Sequence, residues 1–180
     1  MSKHIFQISG LPRSGTAWIA TVLSLSPDVT CYHEALMHGD PETLLRNAPT
    51  KYAGDCSTYG FMPKQVIWDA KKVLIFRSPF ECFVSAETAF KRKIDVATQN
   101  ALVRHREQFF FDNDHGIFAV EFHELFTAEI VNRILEYCCP GATIDPIKLQ
   151  LALSMNIQRS NPAETFCEDV CAKHREAIWG

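Results

Sequence analysis

The chain opens on a short apolar-rich run, Lys3–Ser9 (KHIFQIS), which meets Gly10 and then a polar turn. Such a run, followed by a glycine-containing turn and a helix, is a βα unit. Thr16–Ser26 (TAWIATVLSLS) is apolar on one face and predicts that helix. Pro27 stops it, because proline lacks an N–H and its ring blocks the preceding turn. Asp28–Tyr32 (DVTCY) predicts a second short strand. Pro41–Asn47 predicts a short helix with Asp40 as N-cap, where a carboxylate accepts from unpaired N–H groups. Thr50–Pro63 holds Gly54, Asp55, Gly60 and Pro63 and reads as a loop with at most a brief strand.

Further on, Lys72–Phe76 (KVLIF) is continuously apolar, the pattern of a parallel strand covered on both faces. Arg77-Ser78-Pro79 ends it. Phe80–Lys91 and Asp95–Phe110 predict helices, and Gly116–Phe122 (GIFAVEF) a further strand. Phe126–Cys138 reads as an amphipathic helix closed by Pro140-Gly141, and Pro146–Met155 as another helix. The last 25 residues are polar and weakly patterned. Strands alternate with helices, which predicts a three-layer α/β fold with a mostly parallel central sheet. With 180 residues and no repeat or linker, the expectation is one domain spanning 1–180.

Charge and composition narrow the partners. Lys and Arg number 18 against 21 Asp and Glu, a net charge of −3, which argues against a broad nucleic-acid footprint. The apolar stretches Ala17–Leu25 and Val73–Phe76 fall short of the ~20 residues a spanning helix needs. The N-terminus lacks the apolar core of a signal peptide. A cytoplasmic protein is expected, with neither nucleic acid nor membrane as partner. Seven cysteines, an odd number, suit free buried thiols in a reducing compartment. Cys167, Cys171 and His174 have zinc-like spacing. They are only three ligands, and a buried helical face explains the same pattern, so no metal is expected.

The turn after the first strand carries the chemistry. Gly10-Leu11-Pro12-Arg13-Ser14-Gly15-Thr16 has G-x4-G spacing. Backbone N–H groups of such a loop converge on an anion, and the helix N-terminus adds positive potential. A Walker loop would continue with Lys and then Ser or Thr. Here Thr16 and Ala17 stand in those places, and the cation is Arg13, inside the loop. A nucleoside triphosphatase also needs an acid at a strand end, yet the best apolar strand ends in Arg77. The expected ligand is therefore a phosphate or sulfate held by arginine and backbone. A purely structural βα turn is the plainer alternative. Ser85 follows Arg77 by eight residues, inside the next helix. The pair could close on one phosphate from two sides, although strand-terminal arginines also cap helices or pair with acids.

Three stretches, in this order, resemble sulfotransferases that use 3′-phosphoadenosine 5′-phosphosulfate (PAPS). GLPRSGTAW is similar to the family's 5′-phosphosulfate loop, and LIFRSPFECFVSAE to its 3′-phosphate motif. FAVEFHELF, with the helix and Cys138-Cys139-Pro140-Gly141 after it, resembles the strand, turn and helix that follow. The resemblance implies a P-loop-type sulfotransferase domain. It would move a sulfuryl group from PAPS to a small-molecule or peptide hydroxyl and release 3′-phosphoadenosine 5′-phosphate (PAP).

Carried over by residue, Arg13 would contact the 5′-phosphosulfate, including the bridging oxygen. Ser14, Gly15 and Thr16 would supply donors, with Ala17 where the family usually has Thr or Ser. Trp18 would lie against adenine, or else be a core residue of the first helix. Arg77 and Ser85 would hold the 3′-phosphate, at the opposite end of the nucleotide. The family's late basic loop is not visible; Arg159, Lys173 and Arg175 are the nearby basic candidates.

His33-Glu34 follows the second predicted strand, at the edge where ligands bind in open α/β sheets. The segment PRSGTAWIATVLSLSPDVTCYHE resembles that of tyrosylprotein sulfotransferases, and Glu34 falls in the register of their catalytic glutamate. The resemblance implies Glu34 as the base, with His33 as the neighbouring candidate. Adjacent strand residues face opposite ways, so only one of the two is expected in the site. Two other functions stay open: a P-loop kinase using ATP and Mg²⁺, and a non-catalytic nucleotide-binding relic.

Overall fold

Apolar side chains alternate across each inner strand, and both faces find cover. The computed structural model describes residues 3–35, 40–67, 69–113 and 116–154. Its five strands are β1 (His4–Gly10), β2 (Val29–His33), β3 (Tyr52–Ser57), β4 (Lys71–Phe76) and β5 (Ile117–Glu121). All neighbours pair in parallel, in the order β2-β3-β1-β4-β5. The helices are α1 (Thr16–Leu23), α2 (Pro41–Arg46), α3 (Pro79–Phe90), α4 (Val96–Asn113), α5 (Ala128–Cys138) and α6 (Pro146–Ser154). Cys167, Cys171, His174, Arg159, Lys173 and Arg175 lie outside the described residues.

Phe6 and Ile8 of β1 and Val73 and Ile75 of β4 pack with α1, α5 and α6 in the largest core cluster. Leu74, one residue out of phase, packs on the other face with α3 and α4. A third cluster joins Tyr32 and Ala53 to Leu45 of α2. The result is a three-layer α/β fold with an all-parallel sheet. Among the described residues no helix is long and apolar enough to cross a membrane.

Residues 50–63, read as a loop, contain β3, which fills the gap between β2 and β1. Two residues that look like turn formers have other work there. Gly54 lies under the ring of Phe6; a Cβ at that position would sit 2.1 Å from ring carbons. Asp55 is 0% exposed, and its carboxylate accepts from the Ala35 N–H at 2.7 Å and from the Ser57 hydroxyl.

The strand order also locates a crevice. The α1 connection carries the chain from β1 across to β2 on one side. The α3–α4 connection carries it from β4 to β5 on the other. Ligands bind at such a switch point, beyond the carboxyl ends of the two strands. Here those ends are Gly10, which opens the Arg13 loop, and Phe76, which precedes Arg77.

Candidate functional site

The loop between β1 and α1 is curled by two residues with left-handed backbone, Arg13 (φ 67°) and Gly15 (φ 83°). At Gly15 a side chain is excluded twice, by that φ and by Leu125 Cδ2, 2.8 Å from where a Cβ would stand. The Ser14 N–H donates to the Leu11 carbonyl at 3.1 Å, closing the turn. Gly15 then caps α1 without any side-chain bond, and the first turn of α1 holds no acid. The positive end of that helix is therefore not neutralised locally.

Side chains of the loop divide by burial. Arg13, Gly15 and Ala17 are half-buried; Ser14, Thr16 and Trp18 are buried. The Ser14 hydroxyl lies 3.6 Å from Cys82 Sγ of α3. Trp18 is 3% exposed and meets Phe126 edge-on at 4.9 Å between ring centroids, which places it in the core cluster. Of its two readings, the adenine contact and the core residue, this packing supplies the second.

Arg13, Arg77 and Ser85 come together at the β1–β4 crevice. Arg77 Nη1 donates to the Arg13 carbonyl at 2.5 Å, and its Cζ lies 4.1 Å from the centroid of Phe122. Arg13 Nε donates to Ser85 Oγ at 3.4 Å. The serine thus meets Arg13, not Arg77, and the two expected phosphate grips form one contiguous cluster. Glu81, 3.4 Å from Arg77 Nε, is largely exposed and offsets little of this charge. Burial first, and the nearby Arg77 charge second, hold the Arg13 guanidinium below its ordinary pKa.

Arg106 of α4 belongs to the same cluster and was not among the residues expected there. Its Nη1 donates to the Arg77 carbonyl at 3.1 Å. The signal was in the sequence: Leu102, Arg106 and Phe109 stand at i, i+4 and i+7, so an arginine interrupts the buried stripe of a helix.

The acid side of the site lies over β2 and β3. His33 is 4% exposed, and its Nε2 is 3.2 Å from the Thr16 hydroxyl and 3.5 Å from Glu34 Oε1. The expectation that only one of His33 and Glu34 faces the site fails, for a backbone reason. Glu34 has φ 60°, outside the strand, so the alternation of side chains ends at His33. Its N–H still pairs with the Cys56 carbonyl at 3.1 Å, while Oε1 accepts from the Thr58 N–H at 2.8 Å. Both side chains therefore lie together, beside the start of α1.

Burial raises the Glu34 carboxyl above its ordinary pKa, against the opposing pull of the Thr58 hydrogen bond. Asp55 is pushed further, to about 7, mainly by burial and with a contribution from Glu34. The same two causes, burial then Glu34, raise the Tyr59 phenol. Sequence reading missed Asp55 because it falls in the segment taken as loop. Chemically, one end of the loop gathers guanidinium groups, while at the start of α1 Thr16 meets His33, which in turn meets a carboxyl that burial raises above its ordinary pKa.

No family model matches the chain, and no curated protein sequence matches it. Solved structures do. The crystal structure of mouse sulfotransferase SULT7A1 complexed with PAP superposes with a TM-score of 0.59 at 17% identity, covering 88% of this chain and 66% of that one. A sulfotransferase from Alicyclobacillus acidocaldarius gives a TM-score of 0.60 at 14% identity, over 99% and 92% of the two chains. The chain thus spans just under two thirds of the mouse protein's structure. At these identities the likeness is one of architecture: the chain has the fold of the sulfotransferases.

Proposed function

We propose that the chain is a PAPS-dependent sulfotransferase acting on a hydroxyl of a small molecule or a peptide. The observation that carries this reading is the single cluster at the β1–β4 crevice. Arg13, Arg77 and Ser85 converge there beside an uncapped helix N-terminus, with Glu34 at the end of β2. Such a set suits an anion with charge at more than one place. The mouse neighbour is described as complexed with PAP, a nucleotide of that kind.

In the proposed reaction Glu34 accepts the proton of the acceptor hydroxyl, and the hydroxyl oxygen bonds to sulfur as the sulfur–oxygen bond to the nucleotide phosphate breaks. Arg13 neutralises the charge that collects on the departing phosphate oxygen. Arg77 and Ser85 bind the 3′-phosphate and set the nucleotide's direction. A carboxyl raised by burial is a better base near neutral pH than an ordinary glutamate. Thr16 holds His33 beside Glu34 and orients the pair.

Calorimetry with PAP, set against ATP with Mg²⁺, tests the nucleotide, and PAP release in the presence of phenols, alcohols and tyrosine peptides tests the transfer. Tight binding of PAP and sulfation of at least one acceptor are expected. In Arg13→Ala transfer should fall by about 10³-fold with the fold retained. Preference for ATP with Mg²⁺ would assign the chain to the P-loop kinases instead. Binding of PAP without transfer to any acceptor would make it a nucleotide-binding relic.

A further inference from the structure

Arg106 is 5% exposed on the inner face of α4. A guanidinium buried to that extent is costly unless it is well paired. Its one acidic neighbour among the described residues is Glu107, half exposed, with Oε1 3.6 Å from Nη2. Arg106 Nε has no hydrogen-bond partner among the described residues. The guanidinium lies over the Phe76 ring, with Cζ 5.1 Å from its centroid. Its one close bond, from Nη1, goes to the Arg77 carbonyl at 3.1 Å.

That bond is the first of a series. Arg106 holds the carbonyl of Arg77, Arg77 holds the carbonyl of Arg13, and Arg13 reaches Ser85. Each guanidinium thereby fixes the backbone from which the next one departs. Among the described residues only the exposed Glu81 and the half-exposed Glu107 pair with this series, so much of its positive charge is left for a ligand to balance.

We propose that Arg106 is a positioning residue for the 3′-phosphate of the nucleotide, acting through Arg77. The proposal rests on the sulfotransferase reading above. Arg106 locks the carbonyl at the end of β4, so that the Arg77 side chain leaves from a fixed point, and it adds a charge behind that side chain that, among the described residues, only the half-exposed Glu107 offsets. It touches no reacting atom. It meets Arg77 directly and Arg13 only through Arg77, so its effect falls mainly on ligands that carry a 3′-phosphate.

Calorimetry on the full chain, with PAP and with adenosine 5′-phosphate, which lacks the 3′-phosphate, separates this role from a merely structural one. Wild type should prefer PAP. Arg106→Met should cut that preference by about tenfold or more, while affinity for adenosine 5′-phosphate moves less than about twofold. In an Arg77→Ala background, Arg106→Met should change the preference by less than about twofold, because the residue acts through Arg77. Arg106→Lys, which keeps the charge but not the planar fork, should fall between wild type and Arg106→Met. If Arg106→Met does not fold, as judged by circular dichroism, Arg106→Lys decides: reduced preference supports the role, and wild-type preference overturns it. Undiminished preference in a folded Arg106→Met overturns the proposal and leaves the sulfotransferase reading standing. A wild type that binds both nucleotides equally overturns the reading and the proposal together.

Discussion

Replacing Asp55 by Asn tests the electrostatics of the acid side without touching its shape. Asp55 accepts from the Ala35 N–H through one oxygen and from Ser57 through the other. Asn keeps the first bond with its carbonyl and can donate to the Ser57 hydroxyl with its amide. What changes is the proton. The native carboxyl is raised from an ordinary 3.8 to about 7. Between those values the native state holds a proton that the unfolded chain has released, so stability falls as pH rises through the window and levels off above it. At ~1.36 kcal/mol per pH unit, the full separation of about 3 units amounts to roughly 4 kcal/mol, the ceiling of the effect. Of that, roughly 2–3 kcal/mol falls between pH 5 and pH 8. Asn has nothing to titrate and lacks this slope. Urea unfolding of both proteins at pH 5, 6, 7 and 8 should show wild type losing roughly 2–3 kcal/mol relative to Asp55→Asn. A difference constant to within about 0.5 kcal/mol over that range would refute the argument, because Asp55 would then carry the same charge in both states.

Three further outcomes follow from the site and the packing. Glu34→Gln should lower kcat by about 10²–10⁴-fold while leaving PAP affinity nearly unchanged. Because burial raises the Glu34 carboxyl, the acid limb of kcat/KM in wild type should lie above the ordinary carboxylate range and vanish in the variant. A limb that survives in Glu34→Gln but disappears in His33→Asn transfers the role of base to His33. Gly54→Ala should cost about 1–3 kcal/mol, because its methyl group would enter the Phe6 ring. Phe6→Leu in the same chain should recover part of that loss, a coupling measurable by a double-mutant cycle; simple additivity would contradict the close approach.

The alternation of strand and helix was legible because its strongest elements are the most buried. The run Val73–Phe76 is covered on both faces of the sheet, and such strands leave an unbroken apolar signature. Arg13, Arg77 and Ser85 stood out by their spacing, and the structure brings Arg77 onto the Arg13 carbonyl and Arg13 onto the Ser85 hydroxyl. What escaped was decided by contacts distant in sequence. Gly54 and Asp55 read as turn residues, yet one makes room for Phe6 and the other anchors the backbone after Glu34. The joint placement of His33 and Glu34 hangs on one left-handed residue, which a period-two pattern does not announce. Arg106 was visible as a charge on the wrong face of a helix, but its target, a carbonyl 29 positions away, was not.

The place of β3 in the sheet has a consequence for how the molecule is made. Among the described residues β2 pairs with β3 and with no other strand, and β3 bridges it to β1. A nascent chain that has emerged only as far as residue 50 therefore offers Val29–His33 no ladder at all. When β3 slots in, it delivers the Cys56 carbonyl and the Thr58 N–H that hold Glu34 in its unusual backbone. The acid half of the centre should thus mature only when β3 is in place. Pulse-labelling hydrogen exchange during refolding should see β2 protected together with β3 and never before it.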